Sequence, residues 1–305
     1  MIEIFCLFII SFYVTFRVIP KATDNLVKNN FLARDMYKSD EVYLPTNSGV
    51  ILFFTSFIII AISPLLFRIL DVFNFFRIEI YDLNSHNLGL LLVVSIFSIY
   101  GLVDDLIEIN RRNKLIIPMT FSMHLATVIN PERIIVPIFG EIDLTSAFLA
   151  EITLNDVFRF ALVPMYVMVV VNLVNMHSGY NGLQSGLSLI LMFSIILKSF
   201  LDSNLYLIYP LVPITGATLA FWFYNKYPAK MFEGNIGSCL FGSSIGASIV
   251  ILEEWWFGIF ILIPHIFNFF LWLVFLGKIR THPSIYLSED GSHKKFGGLD
   301  NNGKI

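Results

Sequence analysis

Nine continuous apolar runs dominate this chain, at about 2–19, 50–70, 88–103, 115–129, 157–175, 183–201, 204–224, 236–252 and 255–276. A run of roughly 20 apolar residues crosses the hydrocarbon core of a bilayer as a helix, which satisfies its own backbone hydrogen bonds there. Several runs are shorter, so their boundaries are soft by a few positions. Composition agrees. Hydrophobic residues make up 56% of 305 and charged residues 14%, against about 45–50% and about 25% in soluble domains. Mean hydropathy is +0.74, and 31 Phe could not be hidden on a soluble surface. The sequence predicts an all-α polytopic membrane protein, 1–305 forming a single membrane-embedded domain. It has about nine transmembrane helices with short loops, and a soluble two-domain enzyme is excluded. A net charge of −3 and pI near 6.1 carry no nucleic-acid footprint. Cys6 and Cys239 both lie in apolar runs, which excludes a disulfide framework or zinc site. No charged segment precedes the first run, and Arg17 and Lys21 follow it, so it reads as an anchor rather than a signal peptide.

Loop charge sets the orientation. With the N-terminus external, the internal loops and their borders hold fifteen Lys and Arg, from Arg17, Lys21 and Lys28 to Lys294, Lys295 and Lys304. The external set is five: Arg68, Arg77, Arg133, Arg159 and Lys198. This is the bias of the positive-inside rule. It predicts a multi-pass protein of the cell membrane, with 21–49, 104–114, 176–182, 225–235 and 277–305 cytoplasmic. Outside, residues 71–87 suit an interfacial helix. Arg133–Ile142, β-branched around Phe139-Gly140-Glu141, suits a small external β-hairpin. The polar, Gly-rich 277–305 is a cytoplasmic tail or loop. No internal repeat is visible, which disfavours an inverted-repeat transporter.

Three polar clusters fall on the internal side. In Asp104-Asp105-Leu106-Ile107-Glu108, helical spacing puts three carboxylates near one face. They repel unless a cation or proton relieves them. The alternative is a solvated helix end with ion pairs to Arg111 and Arg112. In Asn172-Leu173-Val174-Asn175, then Gly179-Tyr180-Asn181-Gly182, three asparagines offer uncharged donors and acceptors, suited to a nucleobase edge or a hard cation. A polar turn between two spans is the other reading, and His177 alone is more often a solvated loop histidine than a base. Phe232-Glu233-Gly234-Asn235 precedes a small-residue run whose helix start could receive an anion. For Gly242 and Gly246, helix packing is the preferred reading.

These motifs, in this order, resemble the polyprenyl-phosphate N-acetylhexosamine-1-phosphate transferases, glycosyltransferase family 4. The wording Asn-Met-His-Ser-Gly and Gly-Asn-Ile-Gly-Ser is most similar to archaeal UDP-GlcNAc:dolichyl-phosphate GlcNAc-1-phosphate transferases. Asp35-Met36-Tyr37-Lys38, with Pro45 and Gly49, resembles the family's first internal loop. The resemblance implies transfer of GlcNAc 1-phosphate from UDP-GlcNAc to a polyprenyl, here dolichyl, phosphate. The products are lipid-pyrophosphate-GlcNAc and UMP, a first membrane step of glycan assembly such as protein N-glycosylation. It implies Mg2+, or Mn2+ in its place, on Asn175 and Asn235. Asp104 and Asp105 would position or deprotonate the lipid phosphate, and Lys114 would neutralise pyrophosphate. Substrate contacts would come from Asn172, Asn181, Gly182, Lys38, Arg280 and His282. The implied partners are the UDP-sugar, the polyprenyl phosphate and the bilayer, with a homodimer left open.

Two features depart from the family. Asn235 stands where most members carry a metal-binding Asp, and the family's usual tenth span has no counterpart before Ile305, so either nine spans or a shortened chain is expected. A catalytically dead relative is one alternative. Another is a transferase using a different UDP-sugar or undecaprenyl phosphate. A transporter would be marked by ionisable residues near the midplane of several spans, whereas the polar residues here collect at one face.

Overall fold

The computed structural model describes residues 2–35, 42–72, 83–107, 109–110, 112–137, 139–149 and 151–275, with two short paired segments at 286–287 and 293–294. Helix α1 (Ile2–Lys28) leads through strands β1 (Leu32–Arg34) and β2 (Tyr43–Pro45) to α2 (Gly49–Val72) and α3 (Ser85–Ile107). Next come α4 (Asn113–Ser122) and α5 (Leu125–Val128), then strands β3 (Arg133–Val136), β4 (Gly140–Asp143), β5 (Ala147–Leu149) and β6 (Ile152–Thr153). Helix α6 (Leu154–Val157) joins α7 (Val163–Met176) through a π-helical turn, and α8 (Leu183–Leu201), α9 (Leu211–Asn225), α10 (Gly234–Ile251), α11 (Trp255–Ile261) and α12 (Ile263–Phe275) follow.

Among the described residues, six helical segments are long and apolar enough to cross a bilayer, or seven if α11 and α12, bent by 62°, form one span. The chain is thus a polytopic helical membrane protein. Three of the nine expected spans take other forms. The run 115–129 is broken between α4 and α5, and Pro118 inside α4 removes a donor from a helix already short. The run 204–224 yields only the 15 residues of α9, about 22 Å of helix against a core of about 30 Å. The run 255–276 bends where Pro264 opens α12.

The loops hold short strands that an all-α reading omits. In the first loop β1 pairs with β2, Leu32 opposite Pro45. At the expected hairpin β3 pairs with β4, Val136 opposite Gly140, so the reversal lies before Gly140 rather than across it. A second pair, β5 with β6, follows. The suggested interfacial helix at 71–87 falls largely outside the described residues.

Helix α10 is the hub. Sixteen of its 18 residues are buried, against α2, α3, α7 and α8. Small residues allow this. A Cβ at Gly242 would lie 2.7 Å from Val171 Cα of α7, so the packing reading of Gly242 holds. Ser243 satisfies itself locally, its Oγ donating to Cys239 O at 2.6 Å, the usual solution where water is absent, whereas the buried hydroxyls of Ser244 and Ser248 have no hydrogen-bond partner. By contrast Phe54, Ile58, Ile62 and Leu65 on α2 are exposed, as expected of a lipid-facing stripe. Thr15 and Thr55 link α1 to α2 through a 2.8 Å hydrogen bond.

Candidate active site

The end of α3, the end of α7, the start of α8, the end of α9 and the start of α10 meet at one end of the bundle. The junction is built on backbone. Phe232 N donates to Pro45 O (2.8 Å), Ser48 N to Phe232 O (3.1 Å) and Gly49 N to Glu233 O (2.9 Å). Gly234 then turns the chain at φ +71°. A Cβ there would collide with Asn47 and lie 2.9 Å from Asp105 Oδ2, so glycine is required on both counts. This turn sets the first turn of α10 against α3. Asn235 N donates to Asp105 Oδ2 at 2.9 Å, a carboxylate placed at a helix N-terminus where the dipole favours it.

The two aspartates have different roles in this geometry. Asp104 is buried and accepts three hydrogen bonds: Ile109 N at 2.9 Å, Lys114 Nζ at 2.7 Å and Asn235 Nδ2 at 3.0 Å. It ties α3, α4 and α10 together. Asp105 lines the cavity described below. Arg112 is exposed, and the ion-pair partner of Asp104 is Lys114. Glu108 and Arg111 lie outside the described residues, as do Lys38, Arg280 and His282.

The amide motif also divides. Asn175 and Asn181 line the cavity, whereas Asn172 does not. Asn172 Nδ2 donates back to Met168 O at 2.8 Å. Gly182, at φ +76°, precedes α8, and a Cβ there would sit 2.7 Å from Lys226 Cα. Gly182 is therefore a packing and turn residue between α8 and the α9–α10 connection. Asn181 Nδ2 donates to buried Asp35 Oδ2 at 3.3 Å. Gln184 donates to Val174 O at 2.9 Å and accepts from Ser238 Oγ at 3.2 Å, joining α7, α8 and α10. His177 caps α7 and packs edge-on to His265, ring centroids 4.6 Å apart. Burial pushes its imidazole below the ordinary range.

These elements enclose a cavity of about 530 Å³, whose wall includes Asp35, Asp105, Asn175, Asn181, Glu233 and Asn235. Sequence reasoning assigned no role to Asp35 or Glu233, although both stood inside quoted motifs, and it missed Gln184 and Asn225. Glu233 keeps some contact with the cavity yet sits deep in the protein volume. Loss of hydration pushes its carboxyl up to about 7, partly offset by hydrogen bonds from its own backbone and from Asn225. Among the described residues no three His, Cys, Asp or Glu are grouped to hold a metal. Oxygen donors on the cavity wall include the Asn175 and Asn235 amides and the Asp105 carboxylate. Asn235 spends its amide nitrogen on Asp104, leaving its amide oxygen for other partners. Such a set fits a hard cation that keeps several waters or substrate phosphates as ligands.

Comparison with known proteins follows the same residues. The profile of glycosyl transferase family 4 matches residues 87–253. The chain is 26% identical over 293 residues to a putative UDP-N-acetylglucosamine–dolichyl-phosphate N-acetylglucosaminephosphotransferase of Saccharolobus solfataricus, covering 92% of this chain and 82% of that protein. The enzyme of that name from Schizosaccharomyces pombe is 25% identical over 291 residues, 86% of this chain and 65% of its own length. A putative glycosyltransferase of Methanocaldococcus jannaschii is 25% identical over 202 residues, 66% of this chain and 60% of its own. The chain thus spans less than two thirds of two of these three relatives. The matched stretch runs from the start of α3 to just past the end of α10 and carries both aspartates, the amide motif and the Gly234 turn. The chain belongs to glycosyl transferase family 4.

Proposed function

We propose that this protein transfers GlcNAc 1-phosphate from UDP-GlcNAc to a polyprenyl phosphate, releasing UMP and leaving lipid-pyrophosphate-GlcNAc. The observation that carries this reading is the convergence of Asp105, Asn175, Asn181 and Asn235 on one cavity at the end of a membrane bundle. A lipid phosphate oxygen attacks the β-phosphorus, and the bond from that phosphorus to the bridging oxygen breaks, so UMP leaves with that oxygen. A phosphate monoester with a second pKa near ~6 is largely dianionic at neutral pH, so Asp105 serves mainly to position it. Asn181, on the same cavity wall, would read the uracil edge. Lys114, 42% exposed beyond its pair with Asp104, brings positive charge to the same end. Mg2+ held by Asn175 and Asn235 would supply charge neutralisation at the pyrophosphate. Incubation of detergent-purified protein with labelled UDP-GlcNAc and dolichyl or undecaprenyl phosphate tests the reading. Mass spectrometry should show lipid-pyrophosphate-GlcNAc alongside UMP. Absence of lipid product with every polyprenyl phosphate would remove it, and a transporter or inactive relative would then stand.

In this reading α4–α5, α9 and the bent α11–α12 complete nine crossings, with the N-terminus external and the cavity cytoplasmic. Lys28 and Lys226 are exposed and both belong to the positively charged side. Cysteines introduced there should react with a membrane-impermeant maleimide only after the cytoplasmic face is opened. Labelling of either from intact cells contradicts the topology.

Asn235→Ala removes an amide oxygen and should raise the Mg2+ concentration for half-maximal rate several-fold. Asn235→Asp sets a second carboxylate where Asn235 Nδ2 now meets Asp104 at 3.0 Å. That variant should melt earlier than wild type without Mg2+ and recover when Mg2+ and UDP-GlcNAc are added. If instead Asn235 only braces Asp104 through its amide nitrogen, the Ala variant melts earlier and its Mg2+ curve stays in place.

A further inference from the structure

We infer that Glu233 reads the ribose of the nucleotide donor, accepting hydrogen bonds from its vicinal hydroxyls. This rests on the proposed use of a UDP-sugar and adds a specificity-determining residue to it.

Glu233 immediately precedes α10 and lines the same cavity as Asn181 and Phe232. It is held from behind by a chain of fixed polarity. Ser185 Oγ donates to Asn225 Oδ1 at 2.7 Å. Asn225 Nδ2 donates to Met231 O at 2.9 Å and to Glu233 Oε2 at 3.1 Å. Both amide hydrogens of Asn225 are used, so its amide cannot flip without losing bonds on three sides. The carboxylate is therefore a rigid acceptor rather than a mobile surface group.

That acceptor has capacity to spare. A carboxylate offers about four lone-pair sites, and Asn225 and the residue's own backbone take two. Among the described residues no Lys or Arg forms an ion pair with it. Its bond from Asn225, itself tied to Ser185, sets it against the α8–α9 side of the cavity. A part-buried carboxylate in that position is best served by neutral hydrogen-bond donors. A vicinal diol supplies two, in a spacing that one carboxylate accepts. The same pairing of an acidic side chain with ribose hydroxyls recurs in dinucleotide-binding folds.

The test is direct binding of UMP, 2′-deoxy-UMP and 3′-deoxy-UMP to the full-length protein in detergent, by calorimetry with Mg2+ present. Wild type should favour UMP over each deoxy analogue by about tenfold or more, the range for a hydrogen bond to a charged group. Glu233→Gln keeps an acceptor for Asn225 and removes the charge. It should weaken UMP binding and shrink the preference to about twofold. Equal wild-type affinity for the three nucleotides overturns the assignment, even if the variant does not fold. So does a Gln variant that keeps the preference and shifts only the Mg2+ requirement, which would make Glu233 a metal ligand. Because binding is read without turnover, loss of the transferase reading through lack of lipid product leaves this measurement standing. Failure of wild type to bind UMP at all overturns both.

Discussion

Asp105→Asn should lower turnover about 100-fold or more, ~2.7 kcal/mol of barrier, while leaving the melting temperature close to wild type. The substitution preserves size and still offers an oxygen to Asn235 N, which now donates to Asp105 Oδ2 at 2.9 Å. What it removes is the negative charge that faces the cavity. Asp104→Asn makes the contrast. That side chain is buried and carries three hydrogen bonds, including the Lys114 pair. Its loss should reduce thermal stability as well as rate, the stability part by roughly 1–2 kcal/mol, since Lys114 is half in solvent and screened. Lys114→Met should reproduce the stability loss. Turnover and melting measured on all three variants decide the division of labour. Near-wild-type turnover in Asp105→Asn takes that residue out of the chemistry. A stable Asp104→Asn with a normal Lys114→Met takes away the brace.

Gly234→Ala should be severely damaging. At φ +71° an L side chain is strained by about 1–2 kcal/mol. Here the added carbon also meets Asn47 and lies 2.9 Å from Asp105 Oδ2. Asn47 Cα is backbone and cannot swing aside, so the turn must open and α10 must back away from α3. Loss of about 3 kcal/mol or more, and of essentially all turnover, is expected. Gly140→Ala is the control. Its φ is +83° but nothing lies within 4 Å of the added carbon. It should therefore show the strain alone, with activity retained. A Gly234→Ala protein that folds and turns over like wild type would mean that the turn does not position Asp105.

Much of this was legible in the residues. Apolar run length identified the membrane class, and the polar motifs that break those runs are the ones that meet at the cavity. Helical spacing could place Asp104 and Asp105 side by side but could not say which faces inward. That choice depends on Lys114, ten positions away across the break between α3 and α4, and on Asn235, 131 positions away. Asn172 and Asn175 look equivalent in a motif. They part because one amide turns back to its own helix at Met168 O. Glu233 was invisible as a functional group because its environment comes from Ser185 and Asn225, on α8 and at the end of α9. The broken α4–α5 pair and the bend at Pro264 were hidden for another reason. Hydropathy counts apolar residues and is blind to the direction in which a helix continues.

The central place of α10 bears on how the protein is made. Of the six segments apolar enough to cross a bilayer, it has the lowest mean hydropathy, 1.4, because glycine and serine fill the positions where it touches its neighbours. A helix so rich in backbone and hydroxyl surface gains less from lipid than the other five. It is also the last of the six in the chain, and α2, α3, α7 and α8, which surround it, are synthesised before it. Its integration therefore depends on a protein-lined berth already assembled at the translocon. Substitutions that loosen α3 or α7 should surface first as failed insertion of residues 234–251, with α10 left accessible to protease, before any catalytic defect can be measured.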